Sequence, residues 1–208
     1  MKPWPPEYDR SYFPSPRSKY WNKEIETMDP LEREKKIILP KLQAQLNYAY
    51  KKSALYRKKW DEAGVKPRDI RSLDDFEQIP FLTKEEIRQD QREHPPFGSN
   101  LCVPVKEMAR VQGTSGTTGK PTAFGISKGD MERIAEAHAR CMWGFGLRRE
   151  DIVFIGSFFS LYWGSWGALI GVERLGAVAF PFGAGVPGQT ERALEWMKEV
   201  KPTAFYGT

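Results

Sequence analysis

Between Gly113 and Thr122 the chain reads Gly-Thr-Ser-Gly-Thr-Thr-Gly-Lys-Pro-Thr, glycines alternating with hydroxyl residues ahead of a single lysine. Glycine lets a backbone bend until several N–H groups converge on one point, and hydroxyls and an ammonium add donors around it. Such a segment suits a polyphosphate. It is not a Walker loop, which needs Gly, four residues and then Gly-Lys-Ser/Thr: Thr114 stands where the first glycine belongs, and Pro121 where the magnesium-binding hydroxyl should be. The plainer alternative is a flexible Ser/Thr/Gly turn joining two strands.

Other reactive side chains are sparse. Cys102 and Cys141 are far apart and form no CxxC pair, which excludes a disulfide framework or a thiolate metal site and predicts a reduced, cytoplasmic protein. His94 lies beside Pro95-Pro96 and His138 falls within a helical stretch, neither with an evident partner for base catalysis or metal binding.

The elements around Gly113 must position whatever it holds. Val103-Pro-Val and Ala109-Arg-Val read as strand material leading in, and Ala123 to Ile126 as a strand leading out. Ser127 is placed to cap a helix reaching about Trp143, with Asp130 at the capping-box position. Then follow a buried strand at Asp151 to Ser157, a glycine-rich helix from Trp163 to Leu175, a strand at Ala177 to Phe182, a helix from Thr190 to Val200, and a strand from Thr203. Strands alternating with helices predict βαβ units and a parallel sheet.

Upstream the texture is helical. The first thirty residues, rich in Pro, Tyr and Trp, predict an extended arm packed by its aromatics. Asp29-Pro30 marks a helix start. Ile38, Leu42, Leu46, Ala49, Tyr56 and Trp60, with Ser53 on the same line, paint one stripe on a long helix that Pro40 should kink and Gly64 should end. Thr83 and Glu86 are spaced as a capping box. The fold class is therefore α/β: a helical segment over residues 1–100, then a partial βαβ sheet over 101–208.

The 208 residues carry 32 basic and 27 acidic side chains, for a net charge of +5 that argues little for nucleic acid. Much of the excess lies on one helical surface, Lys35, Lys36, Lys41, Lys51, Lys52, Arg57, Lys58 and Lys59. A solvated face and an anionic contact both fit it. No stretch approaches the roughly 18 apolar residues of a membrane span.

Thr114-Ser-Gly-Thr-Thr-Gly-Lys-Pro-Thr122 resembles the phosphate-loop signature of the adenylate-forming superfamily, which holds acyl-CoA synthetases, luciferases and peptide-synthetase adenylation domains. Ser53-Ala-Leu-Tyr-Arg-Lys-Lys-Trp-Asp-Glu-Ala-Gly64, then Leu73, Phe76 and Ile79-Pro-Phe-Leu-Thr-Lys84, and Glu173-Arg-Leu-Gly176, are similar to phenylacetate-CoA ligases. The likeness runs from about Leu31 to Thr208.

The resemblance implies a ligase that uses ATP, Mg²⁺ and coenzyme A to activate an aromatic carboxylic acid through an acyl-adenylate. Thr114, Ser115, Gly116, Thr117, Thr118, Gly119 and Lys120 would hold the phosphates. Phe159, Tyr162 and Trp163, within Ser157 to Gly164, would line the acyl pocket; for these aromatics a core role stays open. The resemblance also implies that the segments for adenine, ribose and the carboxy-terminal lid with its adenylating lysine lie beyond this chain, so that no residue here is catalytic and the 208 residues alone are inactive. A sheet cut in this way is expected to self-associate or take up a complementary chain. Two further readings remain: a domain loading a carrier protein or an amine, and a non-catalytic module binding through the basic helix.

Overall fold

The computed structural model describes residues 12–114, 122–183 and 187–207. In chain order the helices are α1 (Lys23–Glu26), α2 (Pro30–Arg33), α3 (Leu39–Lys52), α4 (Ala54–Glu62), α5 (Lys84–Glu93), α6 (Lys128–Gly144), α7 (Trp163–Leu175) and α8 (Thr190–Val200). The strands are β1 (Met108–Gly113), β2 (Ala123–Ser127), β3 (Ile152–Gly156), β4 (Val178–Phe180) and β5 (Ala204–Gly207). They divide into two units. One takes residues 27–111 and 122–127; the other takes 12–26, 112–114, 128–183 and 187–207.

In the first unit Asp29 caps α2 as its position before proline predicts, Oδ1 accepting the N–H groups of Leu31 at 3.0 Å and Glu32 at 3.1 Å. The single long helix implied by the apolar stripe is broken twice. Pro40 has no N–H to return to the preceding turn, and the chain widens just before it into a π turn, Glu34–Ile38. Ser53 then leaves the helical region, with φ −103° and ψ 117°, and its buried hydroxyl caps α4 by accepting from the Tyr56 N–H at 3.3 Å. A serine hydroxyl offers the backbone an alternative to the helix ladder, and here that alternative wins. Leu46, Ala49, Trp60, Val65 and Ile70 close the core of this unit, with Leu42, Tyr50, Tyr56 and Ile79 packed around them. Gly64 ends α4 at φ +72°. Residues 103–105 form no strand: Pro104 precedes a 3₁₀ turn, Val105–Glu107, and β1 begins at Met108.

In the second unit β3 is the middle strand of a parallel sheet ordered β4-β3-β5, with Phe154 opposite Phe180 and Phe205. Val153 and Ile155 point into a core made with Ala139, Met142 and Trp143 of α6 and Ala168, Val172 and Leu175 of α7. The glycines of α7 make this packing possible. A Cβ on Gly167 or Gly171 would run into His138 of α6, so only a bare backbone allows the two helices to approach. His138 is thereby occupied in packing, its Nδ1 donating to the Ile134 carbonyl at 2.9 Å. In the described part of the aromatic arm, Phe13 and Trp21 meet Trp143 edge-on at 5.7 and 5.9 Å between centroids, the aromatic packing its composition predicts, while Lys23–Glu26 is a helical turn and not extended. The Trp21 Nε1 donates to Glu136 at 2.6 Å.

Candidate functional site

Strands β1 and β2 pair with each other and flank the glycine-rich segment, so the strand-in, strand-out reading of residues 108–127 holds. Ser115, Gly116, Thr117, Thr118, Gly119 and Lys120 lie outside the described residues. What the structure describes is how the two ends of the segment are held. On the exit side, within the first unit, the Gln91 carboxamide treats β2 as a neighbouring strand would: its Nε2 donates to the Ala123 carbonyl at 2.6 Å, and its Oε1 accepts the Ala123 N–H at 3.3 Å. Thr122, next to it, is fully buried. Sequence reasoning passes over Gln91. It sits on a polar helix face, and nothing in its spacing marks it as the residue that pins a strand.

On the entry side, within the second unit, the Gly113 N–H donates to the Leu161 carbonyl at 3.0 Å. This bond fastens the residue before Thr114 to the turn that follows β3, where the aromatic run lies. In an open α/β sheet that end of the strands is where ligands bind. The turn is held from three sides. The Ser165 hydroxyl, fully buried, donates to the Phe158 carbonyl at 2.6 Å and lies 2.7 Å from the Ser157 hydroxyl. The Trp166 Nε1 donates to the Ser160 carbonyl at 2.7 Å. Every one of these groups comes from the first turn of α7 or from the end of β1, so the aromatic loop is preorganised by its own neighbours.

The three aromatic candidates part company. Phe159 turns inward, edge-on to Trp166 at 5.0 Å and against the core, the core role that its sequence position left open. Trp163 is half-buried in the first turn of α7. Tyr162 is 59 % exposed and its ring folds back over Gly164, which has room for it only because it lacks a Cβ. Beside it Phe158 and Leu161 are also exposed. Tyr162 is the N-cap residue of α7 and makes no side-chain cap bond, so no Tyr162 side-chain bond satisfies the donors of the first turn.

Among the described residues no group of three or more His, Cys, Asp or Glu is set to hold a metal. Neither Cys102 nor Cys141 is in a disulfide, and the Cys102 thiol donates to the Asn100 carbonyl at 3.4 Å. Among the described residues no helix is long and apolar enough to cross a membrane. The basic surface on α3 and α4 is largely exposed at Lys41, Lys51, Lys52, Arg57 and Lys58, while Lys59 pairs with Glu86.

No family model matches the chain. Single proteins do. Phenylacetate-coenzyme A ligase of Escherichia coli (strain K12) is 36% identical over 180 residues, 84% of this chain and 39% of that protein. The enzyme of the same name from Thermus thermophilus is 36% identical over 179 residues, 86% of this chain and 38% of its own length. Among solved structures, 2-hydroxyisobutyryl-CoA ligase in complex with 2-HIB-AMP and CoA superposes with a TM-score of 0.94 at 52% identity, covering 99% of this chain and 43% of that one. The chain spans about two fifths of the length of the relatives it matches. With the glycine and hydroxyl segment of residues 113–122 between β1 and β2, these matches place the chain in the adenylate-forming superfamily. Within it the chain is phenylacetate-CoA ligase-like.

Proposed function

We propose that this chain supplies the phosphate-holding and acyl-facing part of an AMP-forming acyl-CoA ligase. The observation that carries the reading is the Gly113 to Leu161 hydrogen bond, which ties the start of the glycine-rich segment to the exposed aromatic turn after β3. One backbone contact thus joins Gly113, where a segment suited to polyphosphate begins, to a loop suited to an organic acid.

The chemistry has two steps. A carboxylate oxygen attacks the α-phosphorus of ATP, the bond to the β-phosphate oxygen breaks, and pyrophosphate leaves. The thiol sulfur of coenzyme A then attacks the acyl carbon, gives up its proton, and AMP leaves with the electrons of the acyl–oxygen bond. In the first step negative charge meets negative charge. Main-chain donors of Ser115 to Gly119, the hydroxyls of Ser115, Thr117 and Thr118, and the Lys120 ammonium would offset charge growing on the leaving pyrophosphate. Mg²⁺ enters as the ion that accompanies ATP, and no described residue is assigned to it. The amino-terminal end of α7, beginning after Tyr162, offers the positive end of a helix dipole to the acid's carboxylate.

A short branched 2-hydroxy acid is the substrate class we favour, because 52% identity ties the chain to 2-hydroxyisobutyryl-CoA ligase against 36% for the phenylacetate enzymes. The aromatic reading has its own support in the exposed Tyr162 and Phe158 rings. Exchange of labelled pyrophosphate into ATP separates the two when measured on a hybrid in which this chain replaces the matched part of 2-hydroxyisobutyryl-CoA ligase. Exchange with 2-hydroxyisobutyrate above that with phenylacetate is expected. The reverse order favours the aryl acid, and a folded hybrid that exchanges with neither acid contradicts the ligase reading.

A further inference from the structure

On a β-strand the N–H and C=O of one residue face the same edge, and a residue of a partner strand ordinarily answers both. At Ala123, the first residue of β2, the Gln91 carboxamide gives that answer instead, accepting the N–H at 3.3 Å and donating to the C=O at 2.6 Å. Only a carboxamide side chain carries the peptide's own pair of donor and acceptor. Gln91 is itself held. It lies near the end of α5, and the turn over residues 94–99 folds back onto that end. The Gly98 N–H donates to the His94 carbonyl at 2.8 Å, and the buried Asp90 carboxylate takes the Ser99 N–H and hydroxyl at 2.7 and 2.6 Å. The Gln91 Nε2 also reaches the Phe97 carbonyl at 3.4 Å. Gly98 permits this close approach: its φ is +80°, and a Cβ there would run into the Asp90 carboxylate and lie 3.2 Å from the Gln91 Cγ. The Ser99 carbonyl in turn accepts the Ala54 N–H, at the start of α4, at 3.0 Å. Bonds and contacts thus run without a gap from α4 through the 94–99 turn to Gln91 and Ala123.

We propose that Gln91 is a positioning residue for ATP: by fixing the backbone of Ala123 it sets the exit of the glycine-rich segment, and with it the placing of the phosphate donors. Glycines and short hydroxyl residues bring little side-chain packing of their own, so a segment built from them takes its geometry from its two ends. Ala123 stands three residues after Lys120. Main-chain donors offset growing charge only when they are already in place, and misplacement by about 1 Å costs on the order of 100-fold in rate. Gln91 touches no reacting atom. It acts through Ala123, and the inference rests on the reading that residues 113–122 handle the phosphates.

The test measures KM for ATP, KM for the acid and the pyrophosphate exchange rate in the hybrid with 2-hydroxyisobutyryl-CoA ligase. Gln91→Met keeps the length of the side chain and removes both bonds. It should raise KM for ATP or lower the exchange rate by about tenfold or more, with KM for the acid within about twofold. Gly98→Ala, which displaces Gln91 without altering it, should move the same constants in the same direction. Gln89→Met, at an exposed residue of the same helix, should move none. A second readout needs no activity: in the 208-residue chain, amide hydrogen exchange at Ala123 should quicken by about fivefold or more in Gln91→Met, the scale of one lost hydrogen bond. Unaltered ATP kinetics in Gln91→Met would overturn the proposal, and so would an equal rise in both KM values, which a general loosening of the fold predicts. If Gln91→Met does not fold, Gly98→Ala decides, and an unchanged KM for ATP and exchange rate there would overturn it. An effect of Lys120→Ala without one of Gln91→Met would strike the positioning role alone. Indifference to Lys120→Ala would strike the phosphate reading, and the positioning role with it.

Discussion

In the helical unit a side chain grips the backbone at almost every reversal: Asp29 at the start of α2, Ser53 at α4, Asp69 on the Lys66 N–H at 2.8 Å, Asp75 on the Arg71 and Ser72 N–H groups at 2.9 Å, and Thr83 with Glu86 at α5. Even its buried carboxylate, Asp90, serves this purpose, taking the N–H and hydroxyl of Ser99 at 2.7 and 2.6 Å. The α/β unit has such bonds too, from Ser165 and Trp166 to the turn after β3, but its core relies on shape. Its strand β3 is buried at Val153, Phe154 and Ile155, and its helices meet through missing side chains at Gly167 and Gly171. Hydrogen bonds add about 1 kcal/mol each, whereas misfit in a packed core costs several. The two units should accordingly differ in how they respond to substitution.

The largest expected effect is in the α/β unit. Phe154→Ala removes a ring that is 2% exposed and touches three other rings, and should cost about 3–5 kcal/mol in urea unfolding. Gly171→Ala comes next. Its new methyl meets the His138 Cβ, and the His138 backbone carbon at 3.3 Å, for an expected loss of about 1–3 kcal/mol. Gly167→Ala should cost less, since it meets the imidazole ring, which can turn away. If the two glycine variants proved equal, or both stabilising through helix propensity, close packing would not be what holds this unit.

The smallest effect lies in the helical unit and depends on pH. The Lys59 ammonium, followed by the Thr83 N–H and hydroxyl, holds the Glu86 carboxyl down at about 2, below its ordinary 4.5. A depressed folded pKa contributes stability that is complete above about 4.5 and is lost as pH falls towards about 2. Glu86→Gln should therefore flatten that part of the stability profile and leave its slope near neutrality unchanged. Urea unfolding measured across that range checks it; an unaltered profile would remove the capping box from the list of what organises α5.

This contrast also explains what could be read in advance. The Asp29, Thr83 and Gly64 signals are local, a residue type at a fixed offset, and the structure repeats them. The bounds of α7 and α8 and the parallel order of the sheet followed from periodicity and alternation for the same reason. The break at Ser53 was hidden because a serine on an apolar stripe reads equally as a helix interior or as a cap. Pro104 likewise turned a promising strand into a 3₁₀ turn. Gln91 and the Gly113 to Leu161 bond join residues far apart in sequence, and no spacing rule foretells such partners. Of the candidate site, the glycine-rich segment between two strands was legible in composition, but the division of the aromatics into an inward Phe159 and an exposed Tyr162 depended on tertiary packing.

The central claim is that residues 113–122 handle the phosphates of ATP while the turn to which Gly113 is bonded handles the acid. Pyrophosphate exchange in the hybrid, with KM for ATP and for the acid measured separately, tests it most directly. Lys120→Ala should raise KM for ATP or lower the exchange rate by about tenfold or more, with little change in KM for the acid. Tyr162→Ala should do the opposite, and Lys106→Ala, an exposed lysine in the helical unit, should do neither. Lys120→Ala kinetics that match the unaltered hybrid in both constants would contradict the account.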